Sequence, residues 1–437
     1  MRGLWVTAAT VSLGALLLSG AVAGGVEAVG SGTARSATYT DIPIQETGRI
    51  IEVLDGDTFS FVDDATGAES RIRLLGVNTP EVTGRDNSHF DADMCGARPA
   101  EALLEGMLPP GTPVQLRSNS KESANKGRFL RYAFALNAET GQYDIDVQAL
   151  VAASGLAMWF TIDTESALSY PYRLIIEGVQ DKGLGIWSPE YCGPVEQPDA
   201  DLKVTVVWDA PGSDSTNVNG EYVIVRNVGA SPVDLSGWLL RDSSLTAWYH
   251  FPDGTVLVPG DFRVARAGIG PAGVPTRYDL YMGSAAPLFP NTQDGAFLGD
   301  GAYLLDRKTA LRAYDEYPCI EDCTDPLKGL IRISKVNAKS TKVSAARRAN
   351  EEYVVVTNTS ASPVLLDGYY LRRKVSTYPF LANTRLQPGG SIRVRIGKGT
   401  PTPTTQYWGQ ASTLLNDAHD QVQLLSNRDV LLSRVRW

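Results

Sequence analysis

Histidine and cysteine are both rare in this chain, with three and four among 437 residues. With so few histidines, the sequence argues against a histidine-rich metal cluster and against a Ser-His-Asp triad. Cys319 and Cys323 have zinc-like proximity but no neighbouring histidine, and their spacing is poor for zinc. Because a zinc site is disfavoured, we expect the cysteines to form disulfides.

Beyond the N-terminus, no apolar run is long enough to span a bilayer.

The first 23 residues are typical of a secretion signal. Arg2 supplies a positive charge, an uncharged apolar run follows at 4–18, and 21–23 is a small-residue cleavage site. An uncleaved membrane anchor is the alternative, because no further charge occurs until Glu27. We predict cleavage, a linker at 24–45, and a secreted protein that is extracellular or associated with the cell envelope. No stable membrane insertion is expected after cleavage.

An even number of cysteines agrees with export to an oxidising compartment. Cys319 and Cys323 flank three residues and would close a small loop. Cys95 and Cys192 bracket most of the region 46–194 and lie at its periphery. We therefore predict a pair between Cys95 and Cys192 and a second between Cys319 and Cys323.

Three short segments carry oxygen-rich and basic side chains in a fixed order. They are Asp-Gly-Asp-Thr at 55–58, Arg-Leu-Leu-Gly-Val-Asn-Thr-Pro-Glu at 73–81, and Gly-Arg at 127–128. Asp57 and Asn78 offer side-chain oxygens, and Thr79 offers a backbone carbonyl, which together suit Ca²⁺. These are hard-cation ligands next to basic residues, a combination that favours phosphodiester chemistry.

The other three side chains of the segments are suited to the reaction itself. Glu81 lies beyond a proline and is placed to deprotonate a water molecule. Arg73 and Arg128 are suited to clamp phosphate oxygens and to stabilise the charge that develops on them. The alternative is that Asp57 and Asn78 are simply turn residues at strand ends. Arg73 within an apolar strand argues against that alternative, because a buried arginine needs a partner.

The three motifs in this order resemble the thermonuclease (staphylococcal nuclease-like) family, from about Gly48 to the Gly-Ile-Trp-Ser at 185–188. The resemblance implies an endonuclease that hydrolyses DNA and RNA and leaves a 3′-phosphate. It assigns calcium to Asp57, Asn78 and Thr79. It makes Arg73 and Arg128 the phosphate ligands and Glu81 the general base.

Two positions depart from the family pattern. Many members have Asp where this chain has Asn78, and an amide brings no charge, so we expect weaker Ca²⁺ binding. The residues before Gly127 are Ala124, Asn125 and Lys126, so an aromatic that would stack on substrate is missing. Lys126 remains as a predicted substrate contact.

Alternation of apolar residues in region 46–194 predicts a small barrel. Predicted strands lie at Ile50–Leu54, Phe59–Val62, Arg71–Val77, Val114–Ser118 and Leu130–Leu136. Predicted helices lie at Pro99–Met107, Asp146–Ala153 and Pro171–Asp181. Five strands with three helices match an OB-fold barrel, which often binds nucleic acids.

From about residue 200 the chain repeats itself. Glu221-Tyr222-Val223 recurs as Glu352-Tyr353-Val354, and Asn227 recurs as Asn358. Strand-like runs alternate with turns and no helix is predicted, so each copy should be a β-sandwich. The motif order resembles the lamin tail domain, an immunoglobulin-like module. We predict one copy at 200–318, a linker with the cysteine pair at 319–329, and a basic copy at 330–437. The fold class is thus mainly β and multidomain.

Charge is distributed unevenly along the chain. Residues 46–194 carry 12 basic and 22 acidic side chains (12 − 22 = −10), and residues 195–326 carry 9 and 19 (9 − 19 = −10). Residues 327–437 carry 17 and 6 (17 − 6 = +11). The last region is predicted to tether the protein to nucleic acid or to another anionic polymer. Two alternatives are a solvated basic surface and attraction to the acidic neighbours.

Two functions of different classes are consistent with the sequence. The first is a calcium-dependent nuclease with two sandwich modules. The second is a non-catalytic protein that binds nucleic acid or the cell envelope. Asn78 and the acidic barrel favour the second, whereas the set of Asp57, Arg73, Glu81 and Arg128 favours the first.

Overall fold

The computed structural model of the protein describes residues 39–84, 91–125, 127–270, 278–292, 298–321, 323–340 and 344–437. The predicted signal peptide, most of the predicted linker at 24–45, and Lys126 lie outside these residues. Over the described residues the protein is mainly β, with four short α-helices and several sheets. None of the helices found there is long and apolar enough to cross a membrane.

The N-terminal unit, residues 39–194, contains short strands and three α-helices. The strands are β1 (Ile44–Val53), β2 (Thr58–Asp63), β3 (Glu69–Leu74), β4 (Val77–Asn78), β5 (Pro113–Arg117), β6 (Ala124–Asn125), β7 (Arg128–Leu136), β8 (Tyr143–Asp146) and β9 (Met158–Trp159). The helices are α1 (Ala97–Met107), α2 (Val147–Ala153) and α3 (Ser169–Gln180). Asp146 caps α2 by accepting a hydrogen bond from the amide of Ala149. The predicted strands and helices of this region are confirmed, with bounds shifted by a few residues.

The main sheet of this unit closes on itself. Its strands follow the order β3-β2-β1-β5-β7, and β3 also pairs in parallel with β7. Phe59, Ile72 and Leu116 lie buried in its core. The short strands β4 and β9 pair separately. We call this unit the N-terminal barrel.

Part of the predicted linker belongs to the barrel. Ile42 is buried in the barrel core, and Tyr39 stacks on Phe134 with ring centroids 4.8 Å apart. Strand β1 begins at Ile44, earlier than the predicted start at Ile50. The apolar side chains of this segment explain why it packs on the barrel surface.

The middle unit, residues 202–317, consists of two four-stranded sheets and is called the first sandwich. Its strands are β10 (Leu202–Val207), β11 (Tyr222–Asn227), β12 (Val233–Asp234), β13 (Leu239–Asp242), β14 (Trp248–His250), β15 (Val256–Leu257), β16 (Phe262–Gly268), β17 (Asp279–Ser284), β18 (Asp300–Leu305) and β19 (Leu311–Tyr317). One sheet has the order β10-β11-β16-β17 and the other β14-β13-β18-β19, and β12 pairs with β15.

The C-terminal unit, residues 331–436, is called the second sandwich. Its elements are β20 (Ile331–Asn337), α4 (Ala345–Glu351), β21 (Tyr353–Asn358), β22 (Val364–Leu365), β23 (Tyr370–Arg373), β24 (Ser376–Pro379), β25 (Arg385–Leu386), β26 (Ser391–Arg395), β27 (Thr405–Tyr407), β28 (Gln421–Leu425) and β29 (Leu431–Arg436). Its sheets have the orders β20-β21-β26-β27 and β24-β23-β28-β29. The repeat in the sequence therefore corresponds to a repeated strand order.

The expectation that the repeated region lacks helices was wrong. Helix α4 precedes β21 in the second sandwich, and the hydroxyl of Ser344 accepts a hydrogen bond from the amide of Arg347. The helix has only Ala349 buried. Because a single buried residue leaves no apolar periodicity, its sequence pattern did not stand out.

The three units pack into one continuous body. Leu239, Tyr303 and Leu305 of the first sandwich belong to the same core as the barrel interior. Tyr370 and Leu425 of the second sandwich join the core of the first. The first sandwich therefore lies between the other two units and shares apolar surface with both.

Candidate active site

Asp57 and Arg73 form a buried ion pair where β2 begins and the antiparallel strand β3 ends. Strand β2 begins at Thr58, directly after Asp57, and Thr58 lies opposite Arg73 of β3. This register brings the Arg73 Nε to 3.1 Å from the Asp57 Oδ1, with 8% and 6% of the two side chains exposed. The two motifs that contain these residues therefore meet in space.

The other donors of Arg73 bind groups of the next turn. Its Nη1 donates to the carbonyl oxygens of Leu74 and Val77 at 2.7 and 2.8 Å. Its Nη2 donates to the side-chain oxygen of Asn78. Arg73 thus bridges Asp57 and Asn78, two residues that the sequence assigned to calcium.

Asn78 and Thr79 have partners that the sequence did not predict. The Asn78 Nδ2 donates to the carbonyl oxygen of Ser243 in the first sandwich at 2.7 Å. Thr79 donates from its amide and its hydroxyl to Asp57 Oδ2, at 2.7 and 3.0 Å. The prediction used the carbonyl of Thr79, whereas its donors make the observed contacts with Asp57.

Three carboxyl groups interact in this region, those of Asp55, Asp57 and Glu81. Asp55 accepts a hydrogen bond from the Asp57 amide at 3.0 Å. Burial, and then the charge of Asp57, raises the pKa of Asp55 to about 8. Burial also raises the pKa of Glu81, helped by Asp57 and opposed by Arg73, Arg241 and Arg128. A carboxyl group with a raised pKa is a stronger base once it is ionised.

Arg128 is the first residue of β7. It follows Gly127, whose φ of +77° lies in the left-handed region that favours glycine. Its Nε is buried and has no hydrogen-bond partner among the described residues. Its charge acts on the Glu81 carboxyl group, so the arginine predicted from a distant segment reaches the same site. Lys126 falls outside the described residues.

The residues around Asp57 carry oxygen atoms of the kind that a hard cation binds, but their arrangement is not that of a preformed metal site. Asp55, Asp57 and Glu81 repel one another, and a divalent cation would relieve that repulsion. Among the described residues, however, no three His, Cys, Asp or Glu side chains come together as a metal-binding group. Ca²⁺ would therefore depend on oxygens of Asn78 and Thr79 beside Asp57, and the Asn78 oxygen already accepts a hydrogen bond from Arg73.

Sequence reasoning missed two residues of the first sandwich at this site, Ser243 and Arg241. The Ser243 carbonyl oxygen accepts hydrogen bonds from Asn78 and from the Nη2 of Arg241, each at 2.7 Å. Arg241 is fully buried. One signal was available: Arg241 ends the run Trp238-Leu239-Leu240-Arg241, and an arginine in an apolar strand needs a partner. The sequence did not indicate which residue that partner is.

Both predicted disulfides are present. Cys95 bonds to Cys192, and Cys319 bonds to Cys323. The first ties the segment before α1 to the C-terminal end of the barrel, close to the first sandwich. The Cys95 amide donates to the hydroxyl of Thr309 at 2.7 Å. The first bond therefore supports the barrel and its contact with the first sandwich.

Comparison with known families identifies one unit. A family model described as the lamin tail domain matches residues 325–437. The second sandwich is therefore a lamin tail domain, as predicted from its motifs. No curated protein matched the chain.

Proposed function

We propose that this protein is a secreted, calcium-dependent nuclease that hydrolyses the phosphodiester bonds of DNA and RNA. The observation that carries the proposal is the convergence of three separate segments on Glu81. Asp57, Arg73 and Arg128 all act on its carboxyl group, although Asp57 lies in the turn before β2, Arg73 in β3 and Arg128 at the start of β7. Two disulfides support export, because such bonds persist in oxidising compartments.

The strand order of the barrel supports the thermonuclease resemblance. Five strands of the seven-stranded sheet, β1, β2, β3, β5 and β7, form a closed ring in which β1 lies between β2 and β5, which is consistent with an OB-fold. The matching strand orders of the two sandwiches support a lamin tail fold for the first as well. On this interpretation a nuclease barrel precedes two related modules.

In the proposed mechanism, Glu81 takes a proton from a water molecule whose oxygen attacks phosphorus in line. The new O–P bond forms as the P–O5′ bond breaks, and the leaving 5′ oxygen takes up a proton from solvent; the products are a 3′-phosphate, the side implied by the family resemblance, and a 5′-hydroxyl. Arg128 binds a non-bridging oxygen, and Arg73, whose nitrogens already contact Asp57, Leu74, Val77 and Asn78, adds its positive charge. The buried Nε of Arg128 is a donor free to bind such an oxygen. Ca²⁺, held by Asp57, Asn78 and Thr79, would supply further positive charge.

Glu81→Gln and Arg128→Ala test this assignment. Each should lower the turnover of plasmid DNA by about a hundredfold or more, because one removes the base and the other a phosphate ligand. Arg98→Ala is the matched control, since Arg98 is exposed and pairs with Asp93 and Glu101, which are not among the proposed site residues. It should retain full activity. Full activity of a folded Glu81→Gln variant would rule out Glu81 as the base.

Dependence on calcium is tested with the wild-type protein. Cleavage of DNA and RNA should occur with added Ca²⁺ and stop with excess chelator, and it should return when Ca²⁺ is restored. Cleavage that continues in chelator at an unchanged rate would remove calcium from the proposal. The roles of Glu81 and the arginines would then still stand on their own variants.

A second function, binding to an anionic polymer, is favoured by one face of the second sandwich. Arg332, Lys335, Arg393 and Arg395 lie on the outer face of the sheet β20-β21-β26-β27, whose strands contain no Asp or Glu. We call these four residues the basic face. Among the described residues none of them forms an ion pair.

An aromatic residue lies among these charges. Lys335 and Arg393 both lie over the ring of Tyr353, 5.7 and 4.6 Å from its centroid. A basic face with an aromatic is suited to a nucleic-acid backbone and to a stacked base. We propose that the basic face tethers the nuclease to its nucleic-acid substrate.

Charge reversal tests the tether. Lys335→Glu/Arg393→Glu should weaken binding to DNA and reduce its salt dependence. Arg434→Glu/Arg436→Glu changes the charge equally on exposed residues of the other sheet and should have a smaller effect. Equal losses in the two variants would show that only net charge matters. Binding to an acidic polysaccharide but not to DNA would identify an envelope polymer as the partner.

A further inference from the structure

We propose that Arg241 of the first sandwich is a third phosphate ligand of the candidate active site, so that the site is shared between two units. This inference rests on the proposed function. It adds a residue that lies outside the barrel and outside every motif described above. Its basis is a buried, unpartnered guanidinium nitrogen beside the residues already assigned.

Two of the three guanidinium nitrogens of Arg241 donate hydrogen bonds, and the third does not. Its Nε donates to the carbonyl oxygen of Asp242 at 2.9 Å, and its Nη2 to that of Ser243 at 2.7 Å. Its Nη1 is buried and has no hydrogen-bond partner among the described residues. A buried charged donor without a partner costs free energy, so this nitrogen is expected to bind an anionic oxygen when one is present.

The backbone contacts place Arg241 against the barrel. The Ser243 oxygen that accepts from Arg241 also accepts from Asn78, at the same distance of 2.7 Å. Asn78 in turn accepts from Arg73. Arg73, Asn78 and Arg241 thus form one connected cluster. Arg241 and Glu81 also act on each other electrostatically.

A second guanidinium group shows the same feature. Arg128 also has a buried nitrogen without a hydrogen-bond partner, its Nε, and it too acts on Glu81. Two arginines from different units therefore have unused donors around one carboxyl group. A phosphodiester carries two non-bridging oxygens, and two such donors would bind them on the side where Glu81 activates water.

The competing explanation is that Arg241 only balances two buried carboxyl groups, Asp242 and Asp300. Each of these has other partners. Asp242 accepts from the Ser244 hydroxyl at 2.7 Å and the Ala247 amide at 3.2 Å, and Asp300 accepts from Ser243 and from the Gly301 amide. Neither carboxyl group accepts a hydrogen bond from Arg241. Charge balance with Asp242 and Asp300 therefore does not explain why the Arg241 Nη1 has no partner.

A substitution series separates the two explanations. Arg241→Gln keeps donors without charge, Arg241→Lys keeps charge, and Arg241→Ala removes both. For a phosphate ligand, kcat/KM on a DNA oligonucleotide should fall about a hundredfold in Arg241→Ala and Arg241→Gln and less in Arg241→Lys. Added guanidinium ion should partly restore the Ala variant. A purely balancing role predicts a lower Tm with unchanged kcat and KM in Arg241→Gln.

Arg226→Ala is the matched control. Arg226 is a buried arginine of the same sandwich, but it pairs with Asp367 of the second sandwich at 2.7 Å. The Arg226→Ala variant should be less stable than the wild type and should have the same kcat and KM. If Arg241→Ala does not fold, the Lys and Gln variants decide the question. Wild-type kinetics in a folded Arg241→Gln variant would overturn the inference and leave the proposed nuclease intact.

A binding measurement covers the case in which the wild type does not cleave. Anisotropy of a short fluorescein-labelled single-stranded DNA is measured in chelator, with inorganic phosphate as competitor. Weaker binding of DNA and phosphate by Arg241→Gln than by Arg226→Ala would support Arg241 as a phosphate ligand without hydrolysis. Equal binding by the two variants would refute it.

Discussion

Asp55, Asp57 and Glu81 show how single residues at the candidate site are controlled by their neighbours. The three carboxyl groups lie close enough to repel one another, and burial removes the water that would screen them. Arg73 neutralises Asp57 directly, at 3.1 Å, whereas Asp55 is held by the amide of Asp57. The protonation of Asp55 should therefore affect both stability and charge at the site.

Asp55→Asn tests this effect. With a pKa of about 8 in the folded state, Asp55 holds a proton that the unfolded chain releases above its ordinary value of 3.8. Stability should therefore fall as pH rises from about 4 to about 8. The variant should be more stable than the wild type at about pH 8, by up to about 5 kcal/mol. Urea unfolding in chelator measures both proteins.

Asp63→Asn is the control for that measurement. Hydrogen bonds from Thr66 lower the pKa of this exposed residue, so its substitution should not change the slope between pH 5 and 8. An Asp55→Asn variant with the wild-type slope would show that Asp55 is ionised throughout this range.

Asn78→Asp has two opposing consequences. A carboxylate would add charge for Ca²⁺, so metal affinity should rise in calorimetric titration. The Nδ2 donor to Ser243 would be lost, so stability in chelator should fall by about 1–3 kcal/mol. An unchanged or weaker affinity for Ca²⁺ would exclude Asn78 as a ligand.

At the scale of elements, the two sandwiches repeat their polar contacts as well as their strands. Glu221 accepts from the amides of Leu288 and Phe289, and Glu352 accepts from those of Leu414 and Leu415. The amide groups of Asn227 and Asn358 donate to carbonyl oxygens of Ser231 and Ser362, each at 2.8 Å. The repeated residues that revealed the two copies are therefore structural anchors, because each satisfies backbone groups of a loop.

The two disulfides close loops of very different length, which gives an internal comparison. Cys95 and Cys192 are 97 residues apart, and Cys319 and Cys323 are 4 apart. Replacing the first pair by serine should lower the free energy of unfolding by about 4–5 kcal/mol, and the second by about 2 kcal/mol. Urea unfolding of the two double variants measures the difference. Equal losses would contradict the loop-length argument.

At the scale of the whole molecule, ion pairs join units that the charge distribution alone would not pair. Arg226 of the acidic first sandwich pairs with Asp367 of the basic second one, opposite in sense to the net charges. Arg173 of α3 pairs with Glu316 of β19, and both are 1% exposed. Trp208 stacks on Tyr317 and meets Tyr370 edge-on. Local ion pairs and aromatic packing therefore contribute to holding the units together.

Arg173→Met tests how strongly the barrel depends on the first sandwich. The change leaves the Glu316 carboxylate buried without its main partner, which should cost about 3–5 kcal/mol. Calorimetry should show a lower Tm and separation of the barrel from the sandwiches. Arg49→Met removes an exposed pair with Asp64 and should cost less than about 1 kcal/mol. A similar loss of stability in the two variants would show that the Arg173–Glu316 pair stabilises the interface no more than an exposed pair does.

Much of this protein was predictable from local sequence patterns. The barrel strands and helices, the repeat with its lamin tail domain, and both cysteine pairs followed from periodicity, turn residues and motif order. A partner for Arg73 was expected, because a buried arginine needs one. Helix α4 was missed, because a single buried residue produces no periodic signal.

The contacts between units were decided by the tertiary structure alone. Ser243 and Arg241 lie far along the chain from Asn78, and no pattern near either segment indicates that they meet. Thr79 presents its donors to Asp57 because of the turn that Arg73 stabilises. Periodicity records which face of a strand is buried, but not which other surface buries it. That choice depends on how the apolar faces of the barrel and the first sandwich fit, so only folding brings Arg241 beside Glu81.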